Sequence, residues 1–136
     1  GTIRFIGSAT QRIAEDHLRI MRYFRFIARI GNSPVDEGAY EACRRAAREL
    51  TKLSRERIAD ELMKLLAVKD PLYAIEEMLN GDIFDYIVSE VDPEAVVILS
   101  PLMLREEEYG FAPNSVRRLA GLLPKDIAKT GEITKG

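Results

Sequence analysis

Three observations predict an all-α fold. Apolar residues recur every three or four positions, strict alternation is nearly absent after residue 7, and proline or glycine separates the periodic segments. Hydrophobic residues make up 46% and charged residues 31% of the 136, a globular balance that suits one ordinary domain or two small helical units sharing a core.

The chain opens on a short strand-like lead at residues 3 to 6, within "GTIRFIG". Helices are then predicted over about 10–30, 36–50, 55–67, 71–79, 93–107 and 113–121. Asp70-Pro71, Asp92-Pro93 and Ser100-Pro101 each set a capping residue before a proline suited to the first helical position. Gly31, Gly81, Gly110 and Gly121 follow helical segments, as C-terminal caps do. The tail "KDIAKTGEITKG" has little apolar content and is expected to fray.

Cys43 and His17 are single, so a disulfide within the chain and a Cys/His zinc site are excluded. No apolar run reaches the roughly 18 to 20 residues that span a bilayer, and no basic-then-apolar leader opens the chain, so no membrane partner is expected and a reducing cytoplasm fits. The abrupt start on "GTIRFIG" suggests a piece of a longer protein. A net charge of −2 gives no general attraction to nucleic acid, yet residues 11–30 hold five arginines against two acids.

At about 100° per residue, Ile13, His17, Ile20, Met21, Phe24, Ile27 and Ala28 form one apolar face of the first helix. Arg12, Glu15, Asp16, Arg19, Arg22, Arg25 and Arg29 form the other, with Tyr23 and Phe26 projecting among them. Either these charges pair with one another beneath a neighbouring domain, or they meet a flat, charged ligand. Asp16 and Arg19, three apart, would share one side of the helix. A carboxylate only accepts hydrogen bonds and a guanidinium only donates them. Adenine and cytosine each set an exocyclic amino donor beside a ring-nitrogen acceptor, whereas uracil and guanine do not, so the pair complements A and C. Arg22, one turn on, would reach a phosphate.

The segment "IRFIGSATQRIAEDHLRIMRYFRFIARIG" resembles the neck of the class II tRNA nucleotidyltransferases, the CCA-adding enzymes, and of the bacterial poly(A) polymerases. The shared motif is E-D-x-x-R-x-x-R followed by R-F, here Glu15, Asp16, Arg19, Arg22, Arg25 and Phe26. A second match is "LSRERIADELMKLL", through Ser54, Glu56, Arg57, Ile58, Glu61 and Leu62. The resemblance covers about residues 3–67 clearly and implies a neck over 1–67 and the start of a helical body over 68–136. It implies that Asp16 and Arg19 read the base of incoming CTP or ATP, that Arg22 supports them, and that the second segment buttresses the template helix. Arg12, Glu15 and Arg25 are then supporting charges, as are Ser54 at a helix N-cap, Glu56 in its first turn, and Arg57 and Glu61 as i,i+4 neighbours. A tRNA acceptor end is the implied partner. His17 stands where poly(A) polymerases tend to carry proline, which leans the motif towards CCA addition.

Nucleotidyl transfer in this family uses Mg²⁺ on a D-x-D pair together with a Gly-rich segment. The sequence has neither: Asp82 and Asp85 stand three apart, and the other aspartates lie farther from one another. The expectation is a neck-and-body piece with no metal site of its own, unable to transfer nucleotides alone, whose catalytic head lies before Gly1. The alternative of another class is a non-catalytic helical module for RNA or protein.

Elsewhere the expectations are plainer. "REEEYG" at 105–110 reads as a solvated helix end, and "NSVRRLAGLLP" as a short amphipathic helix. Arg44, Arg45, Arg48 and Lys52 read as a solvated surface or a track for tRNA phosphates.

Overall fold

The structure, a computed structural model, describes residues 5–31 and 34–124. These form seven α-helices: α1 (Ala9–Glu15), α2 (Arg19–Ile30), α3 (Glu37–Ala46), α4 (Arg55–Leu66), α5 (Leu72–Asn80), α6 (Ala95–Glu108) and α7 (Ser115–Leu122). Two 3₁₀ segments, Ala47–Lys52 and Ile83–Tyr86, extend α3 and follow α5. The all-α prediction holds among the described residues. Phe5 and Ile6 lie in no strand, and the rest of the strand-like lead and the whole tail from 125 fall outside the described residues.

Helix α2 is the centre of the packing. Ile20, Met21, Phe24 and Ile27 have no exposed surface, and α4 and α5 pack against this helix. One apolar core joins all seven helices, from Ile13 through Leu50, Leu65 and Ile75 to Leu99 and Leu122. Helix α7 closes it by packing on α6 and α4.

Local signals place most helix starts. Ser8, Asp36, Ser54 and Asn114 sit in extended conformation, and each accepts a hydrogen bond from the backbone N–H three residues on, capping α1, α3, α4 and α7. Asp70 Oδ1 accepts from Leu72 N at 3.1 Å where α5 begins, and Asp92 Oδ1 from Glu94 N at 2.8 Å just ahead of α6. Gly31 ends α2 at φ 81°, a left-handed angle that glycine adopts without strain.

Several expectations are corrected. The long first helix is two helices, broken at residues 16–18. Tyr23 belongs to the core: it is 4% exposed, its ring stacks on Phe5 at 5.0 Å, and its hydroxyl accepts from Asp36 N. Burial pushes the Tyr23 phenol up to about 12. His17 is only half-buried, because the break turns it out of the stripe and Leu18 takes the core position. Ser100-Pro101 starts no helix but lies inside α6, where Ser100 Oγ donates to the Val96 carbonyl. Gly121 is not a cap but a member of α7, facing Leu99 and Leu102 of α6.

The acidic run is also not uniformly solvated. Glu106 turns inward, 3% exposed, and meets Arg118, 2% exposed. Arg118 Nε and Nη2 donate to Glu106 Oε1, and its remaining N–H groups reach the carbonyls of Leu66, Val68 and Lys69 at the end of α4. An amphipathic reading of α7 would leave this arginine in water; the carbonyls of Leu66, Val68 and Lys69 draw it in.

Candidate nucleotide-reading corner

The break between α1 and α2 is made by Asp16. Its backbone is extended, at φ −157° and ψ 106°, and its Oδ1 accepts from Leu18 N at 3.1 Å. Such a two-residue reach by an aspartate competes with the helical ladder and wins here. The chain then re-enters helix through Arg19 N donating to the Asp16 carbonyl at 3.0 Å. Asp16 and Arg19 are thus joined across one hydrogen-bonded turn, and not by continuous helix.

Two groups of charge meet at this turn. Arg19 Nη1 donates to Glu15 Oε2 at 2.8 Å and to the Arg12 carbonyl at 3.0 Å, while Arg12 Nη1 reaches the same Glu15 oxygen at 3.1 Å. Asp16 stands between Arg22 Nη1 at 3.7 Å and Arg57 Nη2 at 3.8 Å. Neither Asp16 nor Arg19 is sealed in the core. Among the described residues the two do not pair with each other, and Nε and Nη2 of Arg19 bond to nothing, leaving one edge of the fork open.

Helix α4 supports this corner from beneath. Glu61 is buried on α4, with Oε1 3.3 Å from Arg22 Nε and Oε2 3.3 Å from Arg25 Nε. The second contact is not aligned as a hydrogen bond, so Oε2 is the one buried side-chain oxygen without one among the described residues. The expected Arg57–Glu61 neighbour pair is therefore corrected: Glu61 faces α2, and Arg57 crosses to Asp16. Ser54 caps α4 as expected, Oγ accepting from Arg57 N at 3.2 Å, which fixes the turn that carries Arg57. Glu56 is exposed in that first turn and joins no ion pair among the described residues. The crossing of α2 on α4 brings Asp16, Arg22, Arg25, Arg57 and Glu61 into one cluster, with Arg12, Glu15 and Arg19 in the adjoining one.

The arginines of α3 do not join it. Arg44 and Arg45 both bind Glu41, holding its carboxyl at about 2, well below the ordinary carboxylate range, and Lys52 binds Glu49. A separate groove of about 370 Å³ lies between α6, α7 and the start of α5, lined by Lys69, Leu72, Met103, Phe111 and Arg118, and shares no residue with the corner.

Residues 34–95 match the model of a family described as the probable RNA and SrmB-binding site of polymerase A. The chain is 37% identical over 131 residues, 93% of its length, to the human mitochondrial CCA tRNA nucleotidyltransferase 1. By these matches residues 34–95 carry the polymerase A RNA-binding family's pattern, and the chain is similar to a part of the CCA-adding tRNA nucleotidyltransferases. The zebrafish mitochondrial CCA tRNA nucleotidyltransferase 1 is 50% identical over 66 residues, which is 47% of this chain and 15% of that protein. A CCA-adding enzyme of Ligilactobacillus salivarius is 34% identical over 86 residues, 63% of this chain and 21% of that enzyme. The chain spans 30% of the human relative, so the family match concerns a part of such an enzyme.

Proposed function

We propose that this chain is the nucleotide-selecting and RNA-contacting part of a CCA-adding nucleotidyltransferase. The observation that carries the reading is the turn at 16–19: an acceptor and a forked donor one turn apart, each with hydrogen-bonding capacity to spare, on a base formed by Arg22, Arg57 and Glu61. In this reading Asp16 accepts from the exocyclic amino group of C or A, and the open edge of Arg19 donates to the adjacent ring nitrogen. Uracil and guanine would bring carbonyl oxygen to the carboxylate and a ring N–H to the guanidinium, repelling both. Arg22 is held by Glu61 and Asp16 close enough to the turn to steady Asp16 or to meet a phosphate.

In this proposal the transfer chemistry lies elsewhere in the full enzyme, where Mg²⁺ on paired aspartates would activate the attacking hydroxyl and neutralise the triphosphate. The residues here orient the base and hold the RNA, and the chain alone would not transfer nucleotides. The description of the matched family names polymerase A, which makes A-only addition the second reading. Sequencing the products on a tRNA lacking its terminal CCA separates the two.

The template reading is tested by Arg19→Lys in the full-length enzyme. A lysine keeps the charge but cannot present two parallel N–H groups. Incorporation of U and G relative to C and A should rise about 5- to 150-fold, from the roughly 1 to 3 kcal/mol that a bidentate contact contributes to discrimination. Unchanged selectivity would end the base-reading proposal.

A further inference from the structure

Helix α2 carries one large ring that the fold does not use. Phe26 is 48% exposed, while Tyr23 and Phe24 beside it are buried. Exposed aromatics on a helix that already buries its apolar face are uncommon, because water would be better served by a polar side chain. The neighbours of this ring are mainly cationic, with the exposed Ile30 one turn ahead. The Arg25 guanidinium lies 5.9 Å from the ring centroid, Arg22 is one turn back, and Arg29, one turn ahead, is exposed and pairs with no acid among the described residues.

Helical geometry sets Phe26 in line with the corner. At 100° and 1.5 Å per residue, Arg19, Arg22, Phe26 and Arg29 fall within a single quadrant of α2, and Phe26 stands about 10 Å along the axis from Arg19. Around this stripe Arg12, Arg19, Arg22, Arg25, Arg29 and Arg57 outnumber the acids Glu15, Asp16 and Glu61, leaving a local excess of positive charge in a chain whose net charge is −2.

We infer that Phe26 is a stacking platform for a base of single-stranded RNA, with Arg22 and Arg29 flanking it to receive the adjoining phosphates. The inference rests on the proposal that this face meets nucleotides, and it adds a subsite for the RNA strand beside the subsite that reads the incoming base. A ring flanked by guanidinium groups suits a polyanion carrying flat bases: stacking contributes through the π-face of any base, and the arginines neutralise the backbone. An apolar protein surface would match the ring but leave the uncompensated charge of Arg29 unanswered, so RNA is the better occupant. The platform is sequence-tolerant, because every base has a π-face. Discrimination stays with Asp16 and Arg19.

The test measures affinity of the full-length protein for a fluorescent single-stranded RNA ending in CC, with no nucleoside triphosphate present. Failure of base reading at Arg19 would leave this measurement untouched. Phe26→Leu, which keeps apolar bulk without a π-face, should weaken binding about tenfold, within the range for loss of one aromatic-base stack. Phe26→Trp should restore it. Arg29→Gln should lower the slope of log affinity against log salt by about one. Because Phe26 is exposed, an unchanged melting temperature in Phe26→Leu serves as the folding control. Equal RNA affinity in Phe26→Leu and the parent would overturn the inference. So would loss of self-association or of contact with the rest of the enzyme while RNA binding stays intact, since the ring would then be a protein contact.

Discussion

The protein uses a buried glutamate with arginines twice, and the two sites differ in what they leave over. At the α6–α7 junction, Glu106 and Arg118 are both almost wholly buried, and every N–H direction of the guanidinium ends on a carboxylate or carbonyl. Glu106 spends its second oxygen on Asn114 N at 3.2 Å. At the α2–α4 crossing Glu61 is equally buried, but its partners Arg22 and Arg25 keep 43% and 25% of their side chains in solvent, and one carboxylate oxygen lacks a hydrogen bond. The first site is fully satisfied, although it borders the groove and the exposed Arg117 lies 3.7 Å from Glu106 Oε2. The second is half satisfied and faces outward, which is the difference that the proposed ligand-binding role would require.

The sharpest way to break the comparison is to remove one partner from each site. Arg118→Leu strands the Glu106 charge and three carbonyls in the interior, and should cost about 3 to 5 kcal/mol in urea unfolding. Glu61→Gln should cost less, about 1 to 2 kcal/mol, because the arginines it releases already reach water. Equal losses at the two sites would mean that the α2–α4 cluster is as structural as the other. Glu61→Gln should also loosen Arg22 and so raise U and G incorporation in the full-length enzyme, which Arg118→Leu should not do in the fraction that remains folded. The smallest effect is expected at the surface: Arg45→Ala on α3, whose partner Glu41 is also held by Arg44, should change stability by less than about 1 kcal/mol.

Much of the fold was legible because its signals are local. Ser54 three residues before Arg57, the apolar spacing of α4, and Gly31 after α2 each act within one turn and each appear where expected. The break at Asp16 escaped because no proline or glycine marks it: the aspartate side chain competes with the helix by binding Leu18 N, an option that periodicity does not register. The residues of the corner were legible as a set, since Glu15, Asp16, Arg19, Arg22, Arg57 and Glu61 do converge, but their pairing was not. Arg57 and Glu61 are i,i+4 neighbours on α4, yet each finds a stronger attraction across to α2 or to the turn before it. The burial of Arg118 was unreadable for a similar reason, because the carbonyls that draw it in lie some 50 residues earlier.

Helix α4 ends at Leu66, and the guanidinium of Arg118 takes the carbonyl of that residue together with those of Val68 and Lys69 just beyond it. The last turn of α4 is thereby tied to α7 as well as to its own backbone ladder, in which Ala67 N donates to the Met63 carbonyl and Val68 N to that of Leu65. A change confined to α7 would thus reach the helix that carries Arg57 and Glu61, although among the described residues α7 itself bonds to neither Asp16 nor Arg19.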